Sequence, residues 1–277
     1  TYDANAPRVL TATMFDLASL TKVIATTSIV MALVQRRVLS IDTRIADVFD
    51  GWRGADREAV AVGHLLDHSA GLPAHLRLWE HNRGRDVYLP ALLSAPMERA
   101  PGSMSVYSDV GFMLLGLLLE TVGGRRLDAQ WDALWASGPG EPWIGYRPEA
   151  AKRPLVAPTE AKPSRGGLVQ GVVHDENAEA LGGVAAHAGL FGSAAAVGAF
   201  ASAILQSFHE ATWLATPEVM RTFAARRSVP GSSRALGWDT MLPTSSCGTQ
   251  LSPTAIGHTG FTGTSLWIDW ERDLYFV

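Results

Sequence analysis

The chain has 277 residues, of which 47% are hydrophobic and 18% charged, with a formal net charge of −4 and one cysteine, Cys247. A chain of this length can bury a core without staples, and a lone cysteine excludes an internal disulfide framework or a cysteine-based zinc site. Twenty-three basic against 27 acidic residues is too even a balance for a protein whose main partner is nucleic acid or an anionic membrane, and the longest apolar stretches, Val23–Val34 and Val110–Leu119, are too short or too threonine-rich to span a bilayer.

From Asp16 to about Val38 apolar residues recur at helical spacing (Leu17, Leu20, Ile24, Ile29, Leu33, Val34). This predicts a helix that ends on the cations Arg36 and Arg37 and is capped by Asp16 or Ser19. Further helices are predicted at Val62–His68, at Asp109–Thr121 with Gly123-Gly124 as its stop, and at Ala194–Gln206; Thr216-Pro217-Glu218 reads as another helix start. Between Ser137 and Gly167 lie six of the fifteen prolines and no sustained period, which predicts a long ordered loop and a candidate wall of a binding site. Thr264–Trp270, the polar turn Glu271-Arg272-Asp273 and Leu274–Val277 predict a hairpin. Its second strand lacks a closing turn signal, and the chain starts at Thr1 without methionine, so the expectation is a segment of a longer polypeptide. Helices early and in the middle with a hairpin last argue for α+β or mixed α/β with an antiparallel sheet.

Three constellations carry chemistry. Ser19-Leu20-Thr21-Lys22 puts a hydroxyl and an amine three residues apart, on one helical face. A lysine can activate such a serine if its surroundings depress its pKa, as burial and the positive end of a helix would, whereas a guanidinium stays protonated. The chain has twenty arginines and three lysines, Lys22, Lys152 and Lys162, so a lysine at this place stands out, although a surface lysine is the plainer reading of the motif alone. Tyr107-Ser108-Asp109 offers a phenol that could shuttle protons and an acid that could hold the lysine; equally, Asp109 could be a helix cap and Tyr107 a half-buried aromatic. His258-Thr259-Gly260-Phe261 leads into the hairpin, where small residues let a substrate backbone lie close and free N–H groups can stabilise an oxyanion.

Taken in order, these elements resemble the Ser-x-x-Lys, Tyr-x-Asn and Lys/His-Thr-Gly boxes of the penicillin-recognising serine hydrolases. The branch most similar contains class C β-lactamases, D-alanyl-D-alanine carboxypeptidases and β-lactamase-like esterases. Phe15–Ala18, His64–Leu72 and Ala186–Gly192 extend the resemblance over most of the chain. Asp109 stands where Asn is commoner, and His258 where β-lactamases carry Lys; histidine is tolerated among the family's peptidases and esterases. The resemblance implies a mainly antiparallel sheet flanked by helices, formed by residues 1–60 and 180–277, with 61–179 as a mostly helical insert carrying Tyr107. It implies Ser19, Lys22 and Tyr107 as the catalytic group, with the base left open between Lys22 and Tyr107. Asp109 would orient Lys22, the N–H groups of Ser19 and Phe261 would form the oxyanion hole, Thr259 and Gly260 would line the substrate, and His258 would shape the field around Tyr107 and a substrate carboxylate. The expected acyl donor is a β-lactam, a D-Ala-D-Ala peptide or a small ester, with no metal or organic cofactor and the cell envelope as the expected location. The alternative is a non-catalytic, penicillin-binding-like module for cell-wall peptide.

Other residues admit rival readings. His64 and His68 have a spacing that can bind zinc, but Leu65 stands where a zinc hydrolase needs glutamate, so a structural turn is expected. Asp67-His68-Ser69-Ala70-Gly71 falls short of a nucleophile elbow, leaving Ser69 as a turn residue. His174–Asn177 is read as a hydrogen-bonded loop that pins the insert rather than as a substrate contact, and His187 stays ambiguous. Most of the nine tryptophans are expected in the core, with one or two lining the cleft.

Overall fold

A computed structural model describes residues 6–277. Strand β1 (Met14–Asp16) runs through a tight turn into a buried helix whose first part, Lys22–Thr26, is wound as a π-helical turn before α1 (Thr27–Gln35). The predicted helix therefore begins later than Asp16. Asp16 is a strand residue whose Oδ1 accepts the Ala18 N–H at 2.8 Å, and Ala18 has φ 45°, a left-handed conformation that no helix contains. At the other end Arg37, at φ 57°, stops the helix. Val23, Ile24, Ala25, Val30 and Met31 are all fully enclosed, so this helix is the axis of the core rather than an amphipathic surface element.

Helix α2 (Val62–Leu66) is followed by α3 (Arg85–Leu93), which the sequence reading missed because Pro90 interrupts it, and by α4 (Asp109–Gly123). Ser108, not Asp109, caps α4: its Oγ accepts the Gly111 N–H at 3.0 Å, which leaves the Asp109 carboxylate free for other work. Gly124, at φ 64°, ends the helix. Gly116 lets α4 approach residues 183–189, since a Cβ there would meet the Ala186 Cβ at 2.8 Å. Helix α5 (Leu127–Ala136) buries Trp131 and Trp135 four residues apart on its core face.

The proline-rich stretch is not structureless. It carries β2 (Ile144–Tyr146) and β3 (Glu160–Lys162), the latter paired with β4 (Gly167–Val169) in a separate two-stranded ladder. After α6 (Glu176–Ala180) come β5 (Leu190–Ser193), α7 (Ala194–Ser207), α8 (Pro217–Ala224, capped by Thr216), β6 (Asp239–Thr240), β7 (Ile256–Thr259), β8 (Ser265–Asp269) and β9 (Leu274–Phe276). All strand pairing is antiparallel, in the order β1-β5-β2 in one sheet and β6-β7-β8-β9 in the other. Strand β2, from within the expected insert, thus contributes an edge to the first sheet. Helix α7 packs across β5 of the first sheet and β8 and β9 of the second, and α8 packs on both α7 and α1. Among the described residues no helix is long and apolar enough to cross a membrane.

Candidate active site

The turn between β1 and the central helix presents Ser19. Leu17 N–H donates to Leu190 O at 2.9 Å, Ala18 N–H to Asp16 Oδ1, and one helical turn further on Lys22 Nζ lies 3.1 Å from Ser19 Oγ. The Asp16 carboxyl also accepts the His174 N–H at 2.7 Å, and burial, only partly offset by these N–H groups, pushes its pKa up to about 6. Lys22 has no exposed surface. Its ammonium meets three acceptors, Asp109 Oδ1 at 2.7 Å, His187 O at 3.0 Å and Ser19 Oγ. The expectation of a depressed lysine pKa is overturned. Burial, the largest single influence, does pull it down, but the fields of Asp109 and Tyr107 and their hydrogen bonds together hold it above the ordinary value. Burial likewise pushes Asp109 up, and Lys22 with His187 brings it below the usual carboxylate range.

Tyr107 Oη donates to Ser19 Oγ at 2.8 Å from the residue before the α4 cap. Its ring is fixed by His68, whose centroid lies 4.6 Å away and whose Nδ1 accepts the Ser108 N–H at 3.0 Å. Nδ1 of His64 instead accepts the Ala61 N–H at 3.1 Å, so the two histidines serve separate backbone groups and do not converge on an ion. Ser69 is a turn residue, its Oγ donating to Asp67 Oδ1 at 2.5 Å.

His258, on β7, lies 5.7 Å from the Tyr107 ring and donates from Nδ1 to Thr259 O at 2.7 Å. Burial first, then Arg234 and Lys22, lower its pKa to about 3, so the imidazole is neutral at ordinary pH and brings no charge to a substrate carboxylate. The cation at this end of the cleft is Arg234, which lines the cavity with its guanidinium 5.2 Å from the Tyr107 ring centroid and Asp239 3.9 Å away. One arginine among twenty carries no sequence signal; it reaches the site through the bridge that pairs Arg234 with Asp239 at the start of β6.

The loop after β7 is lashed to the nucleophile turn. Thr262 Oγ1 donates to Asp16 O at 2.7 Å and Thr264 Oγ1 to Leu17 O at 3.1 Å. Only glycine fits at 260, since a Cβ there would meet Thr264 Oγ1 at 2.1 Å and Leu17 O at 2.7 Å. Among the described residues neither the Ser19 nor the Phe261 N–H donates to a protein acceptor, which leaves both available to an oxyanion. The Phe261 side chain is 85% exposed and stacks on His174 with centroids 5.4 Å apart.

These residues line a cavity of about 950 Å³. Thr159, Glu160 and Lys162 from the proline-rich stretch form one wall, as its composition suggested. His174, Asp175 and Glu176 do more than the pinning expected of them. Glu160 holds His174 at 2.9 Å and Lys162 pairs with Glu176, but all of these side chains also face the cavity. His187 and Trp267 line it too, the latter being one of the tryptophans expected there.

Sequence and structure comparisons point to one family. Residues 2–277 match the Beta-lactamase family. A protein of Escherichia coli (strain K12) named "Putative D-alanyl-D-alanine carboxypeptidase" is 31% identical over 297 residues, covering 95% of this chain and 67% of its own length. Among solved structures, a class C β-lactamase from Rhodobacter sphaeroides superposes with a TM-score of 0.74 at 17% identity, over 96% of this chain and 80% of its own. A penicillin-binding protein homolog from Caulobacter crescentus gives 0.73 at 19% identity, over 98% and 78%.

Proposed function

The chain belongs to the Beta-lactamase family and is a serine hydrolase of that related kind, and from the surroundings of Ser19 we propose that it cleaves a peptide ending in D-Ala-D-Ala through an acyl-enzyme on that serine. The observation that carries the reading is the convergence of Lys22 Nζ and Tyr107 Oη on Ser19 Oγ, at 3.1 and 2.8 Å, inside the cleft. Ser19 Oγ attacks the carbonyl carbon, and the oxygen that gains charge is received by the N–H groups of Ser19 and Phe261. The Lys22 ammonium donates to Ser19 Oγ and His187 O and pairs with the Asp109 carboxylate, and losing its charge would leave Asp109 buried without its counter-ion. We therefore assign the proton of Ser19 to Tyr107, whose Oη lies 2.8 Å from Ser19 Oγ. Tyr107 then delivers that proton to the leaving amine, the C–N bond breaks, and water releases the acyl group.

Arg234 favours a peptide with a free C-terminal carboxylate over a neutral ester, because a cation fixed in the cleft 3.9 Å from its nearest carboxylate has capacity for a second anion. The small D-alanine that leaves would sit between Arg234 and Ser19. The reading is tested by incubating the protein with an acetylated Lys-D-Ala-D-Ala tripeptide, a fluorescent penicillin and p-nitrophenyl acetate while following adduct mass and product. Release of D-alanine, lost in Ser19→Ala with the fold intact, is expected. Ester turnover alone would move the assignment to an esterase, and rapid penicillin turnover to a β-lactamase. Absence of any Ser19 adduct, including with a fluorophosphonate, would favour the non-catalytic module.

A further inference from the structure

Of the three acceptors around Lys22, two are side chains of the proposed machinery and the third is a main-chain carbonyl, His187 O. That carbonyl belongs to an irregular segment, residues 182–189, in which Gly182, Gly183 and Gly189 all have positive φ. Such a segment has wide conformational freedom, and placing one oxygen to a few tenths of an ångström requires fastening. The flanking backbone is fastened by the central helix and by strand β2. Thr26 Oγ1 donates to Ala186 O at 2.7 Å, Tyr146 Oη to Ala185 O at 3.1 Å, and Leu190 N–H to Thr21 Oγ1 at 3.1 Å. His187 is fastened through its own ring, which is 1% exposed and lies with Nε2 2.7 Å from Asp175 Oδ1. A carboxylate only accepts, so Nε2 carries the proton. Asp175 is itself immobilised as the cap of α6, where Oδ1 accepts the Ala178 N–H at 2.7 Å.

We propose that Asp175 and His187 are positioning residues for Lys22: the carboxylate orients the imidazole, and the imidazole locks the peptide whose carbonyl receives one N–H of the ammonium. The pair has an electrostatic consequence as well. Burial alone would raise Asp175, yet His187, the Ala178 N–H and Lys22 hold it well below the usual carboxylate range. Coupling between two charges is reciprocal, so Asp175 favours the ammonium form of Lys22 in turn. The other charged or titratable groups around this cluster are Asp16 on β1, Tyr107 and Asp109 at the start of α4, His68 after α2, His258 on β7, Arg234, and the neighbours His174 and Glu176. Of the acids, Asp109 touches Lys22 directly and Asp175 acts from behind the His187 peptide. The wall of the cleft and the nucleophile are thereby one mechanical unit.

The inference rests on Lys22 assisting Ser19 as an ammonium, and the experiment separates the two. Turnover of p-nitrophenyl acetate and the rate of Ser19 labelling by a fluorophosphonate are followed from about pH 6 to about pH 12 for the wild type, Asp175→Asn and His187→Gln, with Tm recorded for each. Asparagine keeps the shape and an acceptor for His187 while removing the charge. The expected result is a fall in kcat of about 10- to 100-fold with KM within about twofold, as small displacements of a catalytic group produce. In Asp175→Asn the alkaline limb should also move to lower pH, because Lys22 loses its proton sooner without the second carboxylate. Wild-type rates in both variants would overturn the proposal. An equal fall at every pH with an unmoved alkaline limb would do the same, leaving only a scaffold. If Asp175→Asn does not fold, His187→Gln carries the test: a loss in KM rather than kcat would count against positioning. A wild type that is never labelled at Ser19 would instead remove the reading of the serine itself.

Discussion

Around Ser19 the protein is closed, and around Phe261 it is open. Lys22 and Thr21 have no exposed surface, His187 and Asp16 have about 1%, and each of these polar groups is spoken for by a named partner within 3.1 Å. A few residues away in space Phe261 is 85% exposed, and the wall opposite carries charges that pair mainly with one another, His174 with Glu160 and Lys162 with Glu176. The closed side has one geometry, because displacing any group strands a buried partner at a cost of about 1–3 kcal/mol. The open side can change its residues at little cost. Chemistry is thus confined to the floor of the cleft and selection to its rim.

The sharpest way to break that contrast is at Lys22. Lys22→Arg preserves the positive charge, so on an open surface it would be harmless. Here the guanidinium is larger than the enclosed space and cannot reproduce three contacts that radiate from one nitrogen. We expect loss of about a thousandfold or more in acylation of Ser19, measured by fluorophosphonate labelling, with folding checked by near-UV circular dichroism. Retention of more than about a tenth of the wild-type rate would mean that the floor is less demanding than its packing implies.

Arg234 tests the boundary between the two regions, since it lines the cleft yet touches neither Ser19 nor Lys22 in the hydrogen-bond network. Arg234→Ala should lower kcat/KM for a peptide with a free C-terminal carboxylate by about 10- to 100-fold, the worth of one charged hydrogen bond. Turnover of p-nitrophenyl acetate, which has no carboxylate, should change by no more than about threefold. Equal losses on both substrates would place Arg234 in the chemistry rather than in selection.

The floor was far more legible in the sequence than the rim. Ser19 and Lys22 sit three residues apart at the start of a strongly apolar helix, so their spacing in sequence translates directly into spacing in space, whereas Tyr107, 88 residues from Ser19, was legible through the resemblance of its box. The C-terminal hairpin was legible through the bulky residues of Thr264–Trp270 and the polar turn that follows them. Arg234 and His187 gave no signal because their roles come from long-range closure: 165 residues separate Lys22 from the carbonyl that holds it. The error over the Lys22 pKa has a related cause. A helix N-terminus and burial are visible locally, whereas the carboxylate that outweighs them arrives from α4, which only the tertiary fold brings near. Strands β1, β2 and β5 were missed because three- and four-residue strands are too short to show a period.

The closed floor still contains one strained ionisation, and it supplies the smallest of the expected effects on turnover. Asp16 accepts the N–H groups of Ala18 and His174 and so holds both the left-handed residue before the nucleophile and the wall of the cleft. Burial raises its pKa from 3.8 to about 6. The folded state therefore binds this proton more tightly than the unfolded chain does. The resulting stability is fully present below about pH 4 and is lost as pH rises through about 6. A shift of this size corresponds to about 3 kcal/mol, or several degrees in Tm for a chain of this length. His258, whose pKa is lowered to about 3, contributes with the opposite sign, losing stability as pH falls below its unfolded value, so the wild type alone does not isolate Asp16. Comparison with Asp16→Asn does. Asparagine can still accept the Ala18 N–H, gives up the His174 bond, and has no proton to lose. Plotted from about pH 4 to about pH 7, the stability of the wild type minus that of the variant should fall steadily, while ester turnover of the two at about pH 8 differs by only a few fold. A difference that stays flat across that range would mean that the carboxyl is as well solvated as an ordinary one, and that the floor of the cleft is less closed than its hydrogen bonds make it.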